Sequence, residues 1–364
     1  MTVKRLGILT GGGDCAGLNA VIRAVTKCAS WQYGMQVIGI RDGFAGLIGK
    51  PRTVNITTSM VKGLLSRGGT ILGSSNKANP FAHREVIKGR LIESDHSDEV
   101  IQNLKELEID CLLVVGGDGT NIIGLQFYKR GVNVIGIPKT IDNDLAATDI
   151  TFGFDTAVNV VMEAIDRLQT TAESHHRVML IETMGRNAGW IALQAGLAAG
   201  ADVILIPEIP FTVEKVVAAI KERQAAGRMF TIISVAEGAK PKDGDVVIKQ
   251  IIKDSAETIR LGGISQVLAN QLENAGVGEC RATILGHIQR GGAPTAFDRN
   301  LCTRLGTEAV HAAARGEFGK MVVIKETKIQ TVDIAEAVRQ IRLVNPQGEW
   351  VRVARDTGVS FGDE

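Results

Sequence analysis

Aromatic residues make up only 4% of this 364-residue chain, too few for the base-stacking platform of a single-strand nucleic-acid binder. Net charge is just as sparse. Lysine and arginine total 41 against 40 aspartates and glutamates, a balance of +1 with no long run of either sign. That pattern excludes a polyanion-binding or membrane-surface footprint and leaves small ligands as the expected partners. The five cysteines (Cys15, Cys28, Cys111, Cys280, Cys302) are odd in number and form neither a CxxC pair nor a metal-type His/Cys spacing. Reduced, mostly buried thiols are expected. No apolar run approaches the roughly 18 residues that a membrane span requires. The start, Met-Thr-Val-Lys-Arg-Leu-Gly-Ile-Leu-Thr, enters a strand-like segment without the apolar core of a signal peptide, so the expected location is cytoplasmic.

What the chain does contain is 45% hydrophobic residues, ample for two or three cores. Apolar strand-like runs recur at Leu6 to Thr10, Val37 to Ile40, Leu112 to Val115, Val134 to Ile137, Val178 to Glu182, Val203 to Ile206 and Thr231 to Ala236, with helical stretches between them. This alternation predicts an α/β fold with mostly parallel sheets covered by helices on both faces. Helical spacing is clearest at Val21, Ile22 and Val25 and at Val158, Val161, Met162, Ile165 and Leu168, read as packing faces. Lys240 to Asp245 reads as a surface loop. From Val332 an amphipathic helix (Ile334, Val338, Ile341) is expected, followed by a polar tail.

Polar and glycine-rich clusters repeatedly follow the strands, and in such sheets ligands sit at the strands' carboxyl ends. Thr10-Gly-Gly-Gly-Asp-Cys-Ala-Gly-Leu-Asn19 joins a strand to a helix with no side chains where a backbone could wrap an anion. It lacks the GxxxxGK[ST] spacing of a Walker loop. Val115-Gly-Gly-Asp-Gly-Thr120 repeats the placement and raises Asp118 on glycines, the kind of isolated carboxylate that a hydrated Mg²⁺ ion uses beside phosphates. Ile135-Gly-Ile-Pro-Lys-Thr-Ile-Asp-Asn-Asp144 ends a buried strand at Pro138, and Thr140, Asp142 and Asp144 are expected to alternate along its extended continuation beside Lys139. Such a group can deprotonate an alcohol while the lysine holds developing negative charge. Ala282-Thr-Ile-Leu-Gly-His-Ile-Gln-Arg-Gly-Gly292 sets His287 and Arg290 three residues apart, a pairing suited to a phosphate monoester.

With TGGGDCAGLN, GGDGT, PKTIDND, ETMGRNAGW, AEG and GHIQRGG in that order, the chain resembles the 6-phosphofructokinase family over roughly residues 4 to 318. The resemblance implies two Rossmann-like doubly wound domains with the active site in the cleft between them. Residues 1–153 plus 266–316 would bind the donor, and 154–265 plus 317–364 the sugar phosphate. It also implies phosphoryl transfer from ATP to the 1-hydroxyl of fructose 6-phosphate. By motif, Asp142 resembles the general base, Thr140 the hydroxyl that orients the phosphoryl group, and Asp144 their support. Lys139 and Arg186 are placed to spread around the moving phosphoryl group. Asp118 resembles the Mg²⁺ ligand, and Gly12 with Gly117, Asp118, Gly119 and Thr120 the donor-phosphate cradle. The sugar phosphate would meet Thr140, Ile141, Asp142, Met184, Gly185, Arg186, Glu237, His287 and Arg290. Arg177 and Arg281 match arginines supplied by an adjacent subunit, so a homo-oligomer, commonly a homotetramer in this family, is implied.

Two positions bear on the donor. Pyrophosphate users in the family tend to carry an acidic residue after the magnesium aspartate and a lysine before the TIDND threonine, whereas common bacterial ATP users have glycine at both. Gly119 with Lys139 is one of each. A carboxylate at 119 would block the nucleotide's path while a lysine excludes nothing, so ATP is the expected donor and pyrophosphate the alternative. The stretch Gly73-Ser-Ser-Asn-Lys77 departs from the family's donor arginine, leaving Asn76 and Lys77 as its stand-ins. Arg23 and Lys27 are effector-site candidates that a solvated helix face explains equally well. A non-catalytic, sugar-phosphate-binding regulatory subunit is the alternative of another class, but such subunits lose catalytic residues, and Asp118, Thr140 and Asp142 are all present.

Overall fold

A computed structural model describes residues 3–87, 90–251 and 259–364. Its larger sheet has seven strands: β1 (Arg5–Thr10), β2 (Gln36–Ile40), β3 (Thr53–Ile56), β6 (Cys111–Gly116), β7 (Val134–Pro138), β14 (Lys320–Lys325) and β15 (Lys328–Asp333). They lie in the order β15-β14-β7-β6-β1-β2-β3, with β14 to β2 parallel and the two edge strands antiparallel. The smaller sheet, β13-β8-β10-β9, is parallel throughout: β8 (Val178–Thr183), β9 (Val203–Leu205), β10 (Thr231–Ala236) and β13 (Cys280–Ile284). Two hairpins, β4 (His83–Ile87) with β5 (Arg90–Ser94) and β11 (Ile248–Ile251) with β12 (Ile259–Leu261), stand apart from both. All seven strands expected from the sequence are present, and the fold is α/β with mostly parallel sheets.

The helices are α1 (Leu18–Tyr33), α2 (Ser97–Glu106), α3 (Asp118–Lys129), α4 (Phe154–His175), α5 (Trp190–Ala198), α6 (Val213–Ala225), α7 (Ile264–Asn274), α8 (Ala296–Arg315), α9 (Ile334–Ala337) and α10 (Glu349–Asp356). Every residue of β6 and β8 is buried, as covering on both faces requires, so these strands read as continuous apolar runs. Period-two alternation sorts their side chains between layers. Leu113 and Val115 join the core under α1 and α8, while Leu112 and Val114 join the core with Phe44 and Phe127 on the opposite face. In the smaller sheet Met179 and Ile181 face α4 and α5, and Val178 and Leu180 face α6 and α7. One core cluster runs from the first face of the large sheet into the small one, so the two lobes share apolar packing.

Sheet membership redistributes the C-terminal segments relative to the expected boundaries. The strand at 280–284 pairs with β8, and α7 packs on it, which puts part of 266–316 in the second lobe. Conversely, β14 pairs with β7 and β15 with β14, which puts 320–333 in the first lobe. The reason lies in Met321, Val322 and Val323, buried on both faces and therefore able to extend the large sheet. The helix expected from Val332 also shrinks, because residues 328–333 are strand and only Ile334–Ala337 is helical. Ile341 instead forms a β-bridge to Leu145.

Candidate active site

In the large sheet the chain leaves β1 toward β2 on one side and later returns through β6 on the other. The point of reversal lies between β1 and β6, where an open α/β sheet forms its ligand crevice. A cleft of about 450 Å³ opens there. The Gly11 amide donates to the Val115 carbonyl at 2.9 Å, and the Gly12 amide to the Ser75 carbonyl at 3.0 Å. The glycine loop is thereby stitched between the end of β6 and the 73–75 turn. At Gly13 a Cβ would fall 2.3 Å from Arg290 Nη1, so the guanidinium reaches the loop only because that side chain is missing.

Asp118 opens α3, and the Asn121 side-chain amide donates to the Gly116 and Gly117 carbonyls at 2.7 and 2.9 Å, holding the turn that presents it. Gly119, Ile122, Ile123 and Gln126 follow at spacings of three and four, one stripe of α3, and all four line the cleft. A Cβ on Gly119 would meet nothing within 4 Å, so a side chain there would project into open space. Phe44 and Ala78 complete an apolar end of the cleft that the sequence did not reveal. Asn76 and Lys77 line its exposed rim.

Lys139 continues β7, its amide donating to the Gly116 carbonyl at 2.9 Å. Its side chain is 5% exposed and its Nζ donates to the Gly13 carbonyl at 2.5 Å. Burial pulls this ammonium below the usual lysine range, and the Arg290 cation pulls the same way while Asp142 and Asp144 oppose both. The extended alternation expected for Thr140, Asp142 and Asp144 is not what forms. The Asp142 amide donates to Thr140 Oγ1 at 3.1 Å, and Asn143 adopts a left-handed backbone (φ 53), so the segment is a tight turn. All three side chains still reach the cleft, because the turn folds them back over it.

Burial raises the Asp144 carboxyl above the usual range, and the Asp118 carboxylate raises it further against a hydrogen bond from Thr140. Two carboxylates thus share one region of the cleft. Among the described residues no cluster of three or more His, Cys, Asp or Glu forms a metal cage. A pair of acidic groups beside an anion-binding loop fits Mg²⁺, which takes few protein ligands and completes its shell from phosphate oxygens and water.

The remaining predicted residues gather at the carboxyl end of the small sheet. Met184, Gly185 and Arg186 follow β8, Glu237 follows the adjacent β10, and His287 and Arg290 lie on the 3₁₀ turn after β13, β8's other neighbour. The Glu237 amide donates to the Thr183 carbonyl at 2.9 Å, tying the loops after β8 and β10 together. Of this group only Arg290 also lines the cleft. Gln289, passed over in the sequence, is 1% exposed and bridges two of the loops: its Oε1 accepts from the Met184 amide at 3.2 Å and its Nε2 donates to the Gly286 carbonyl at 2.9 Å. A single glutamine between Ile288 and Arg290 carries no periodic signal, so only the fold exposes its burial. Arg177 and Arg281 lie apart, at the amino end of the same sheet, each ion-paired with Glu279. Lys27 stacks over the Trp31 ring on the outer face of α1.

The family model described as Phosphofructokinase matches residues 5–313. Among curated relatives, ATP-dependent 6-phosphofructokinase 2 of Clostridium perfringens is 53% identical over 99% of this chain and 99% of its own. A pyrophosphate--fructose 6-phosphate 1-phosphotransferase of Streptomyces coelicolor is 48% identical over 98% of this chain and 100% of its own. Among solved structures, phosphofructokinase from Saccharomyces cerevisiae superposes with a TM-score of 0.79 at 28% identity, covering 98% of this chain and 47% of the yeast chain, about half its length.

Proposed function

Because the chain belongs to the phosphofructokinase family, we propose that it transfers the γ-phosphoryl group of ATP to the 1-hydroxyl of fructose 6-phosphate, giving fructose 1,6-bisphosphate as in glycolysis. The observation that carries the ATP reading is the shape of the cleft. Its acidic end, with Asp142 and Asp144, continues past side-chain-free Gly119 to an apolar end lined by Phe44, Ile122 and Ile123. A nucleoside needs that second half and pyrophosphate does not. The relatives named for pyrophosphate use share the family but are less identical than the Clostridium protein named for ATP.

Phosphoryl transfer calls mainly for alignment and charge neutralisation. The glycine loop and the first turn of α3 supply backbone N–H groups for the donor's phosphates. Lys139, held against Gly13, and Arg186 carry positive charge for the transferring group. The Thr140 hydroxyl orients that group, and Asp142 accepts the proton of the sugar hydroxyl, a poor nucleophile until its proton is met by a base. Asp118, with Asp144 behind it, would hold Mg²⁺, which supplies charge neutralisation between donor phosphates. Met184, Gly185, Glu237, His287 and Arg290 receive the sugar phosphate, with Arg290 offering a bidentate contact.

Arg177 and Arg281 face away from this cluster at the opposite end of the sheet, which supports their serving a neighbouring copy in a cytoplasmic homotetramer. Initial rates with fructose 6-phosphate and equal Mg-ATP or Mg-pyrophosphate test the donor: turnover with ATP is expected, and turnover with pyrophosphate alone overturns the reading. No turnover with either, alongside sugar-phosphate binding, would favour a regulatory subunit.

A further inference from the structure

The segment Ile341–Val344 lies outside the span matched by the family model and crosses both halves of the site. Ile341 bridges Leu145, and the Arg342 amide donates to the Asp144 carbonyl at 2.7 Å. The Arg342 carbonyl accepts from the Trp190 indole at 3.0 Å, and its guanidinium stacks over the same ring at 4.7 Å while donating to the Asp149 carbonyl. Two residues on, the Val344 amide donates to Glu208 Oε1 at 2.8 Å, and that carboxylate oxygen also accepts from the Gly189 amide at 3.0 Å. Val344 itself is 2% exposed, so the segment is anchored in the core. One extended stretch therefore fastens the loop of Asp142 and Asp144 to the start of α5, into which Met184, Gly185 and Arg186 lead.

We propose that Ile341–Val344 is a strap that sets the spacing between the acidic turn and the sugar-phosphate loop, with Arg342 as its positioning residue. The inference rests on the sugar-kinase reading for its kinetic consequence, but not for its structural one. The Arg342 guanidinium donates to the Asp149 carbonyl on one side and stacks on the Trp190 ring on the other, so the side chain ties the loop after the acidic turn to the start of α5 without contributing a reacting atom. Among the described residues its contacts reach neither the donor loops at 10–14 and 73–79 nor α3. Removing it therefore separates the two substrates, loosening the sugar side while leaving the donor side as it was. A misplacement of about 1 Å between reacting groups costs roughly 100-fold in rate.

The test uses the full chain with Arg342→Ala, Arg342→Lys and Trp190→Phe, the last keeping an aromatic face but losing the indole donor. For Arg342→Ala, kcat/KM for fructose 6-phosphate is expected to fall by about 100-fold, with KM for ATP moving less than about twofold and partial recovery in Arg342→Lys. Amide hydrogen exchange in peptides covering 142–151 and 184–190 is expected to quicken by about tenfold in Arg342→Ala and less in Trp190→Phe. Unchanged exchange at 184–190, or equal losses for both substrates with a lowered Tm, overturns the strap. If the wild-type protein fails to phosphorylate fructose 6-phosphate, the function reading falls, and the exchange data alone decide the strap.

Discussion

Replacing Gly119 by aspartate turns the shape of the cleft into a measurable quantity. Gly119 sits in the first turn of α3, its φ is not in the left-handed region, and an added Cβ meets nothing within 4 Å. The substitution is therefore sterically free, and an acidic group in a helix's first turn is favourable by about 0.3–1 kcal/mol. Thermal stability is expected to hold or rise slightly. The new carboxylate faces the donor's path instead. At a separation of about 6 Å and an effective dielectric of about 20, one pair of unit charges repels by about 3 kcal/mol, close to a 100-fold loss of affinity. Steady-state kinetics with ATP varied should show KM rising by that order, with KM for fructose 6-phosphate unchanged. Gly119→Asn, of equal bulk and no charge, separates the two contributions and is expected to raise KM by about tenfold or less. An ATP KM within about threefold of wild type in Gly119→Asp would refute the placement of the donor along α3.

Other residues give sharp outcomes. Lys139→Met removes the buried cation beside the glycine loop and is expected to lower kcat by about 100- to 1,000-fold. Because burial holds the Lys139 ammonium below the ordinary lysine range, wild-type kcat/KM should decline with rising pH before 10.5, a limb that pH-rate profiles of Lys139→Met should lack. Gly13→Ala drives a Cβ into the Arg290 guanidinium, and fructose 6-phosphate KM is expected to rise by about tenfold while ATP binding by calorimetry changes little. Asp298, fully buried, accepts from the Gly153 and Thr156 amides at 3.0 and 2.9 Å, and burial pushes its carboxyl up to about 6. A carboxyl raised in the folded state favours folding while protonated, and that gain is lost as pH rises from about 4 through about 6. The stability difference between wild type and Asp298→Asn, read by urea titration, should therefore shift by about 1 kcal/mol between pH 5 and pH 7.5, the wild type losing ground at the higher pH.

Much of this architecture is legible in the sequence, and the limits have physical causes. Buried parallel strands such as Leu112 to Val115 and Val178 to Ile181 announce themselves as apolar runs, and the glycine and acidic clusters after them mark the crevice. Lys320 to Lys325 carries the same kind of apolar run, Met321 to Ile324, but no glycine-rich or acidic cluster follows it, and its place beside β7 is set by pairing between segments distant in sequence. The turn at Thr140 to Asp144 was read as extended because alternating polar residues mimic a strand, whereas the Thr140 hydroxyl and left-handed Asn143 close it. Phe44 and Gln126 escaped for a different reason. An aromatic in a short 3₁₀ turn and a glutamine on a helix acquire meaning only when α3 brings them to the same wall. The strap at 341–344 was hidden inside an expected helix whose apolar spacing, Ile334, Val338 and Ile341, is met instead by a short turn of helix and a β-bridge.

In the proposed reaction Asp142 accepts the proton of the sugar hydroxyl as the phosphoryl group arrives. Asp142→Ser keeps a small polar group in the turn and removes only the base, so calorimetric titration with fructose 6-phosphate should give a Kd within about threefold of wild type. In the same preparation kcat with Mg-ATP should fall by about 100- to 10,000-fold. Turnover close to the wild-type rate in that variant would remove Asp142 from the role of base.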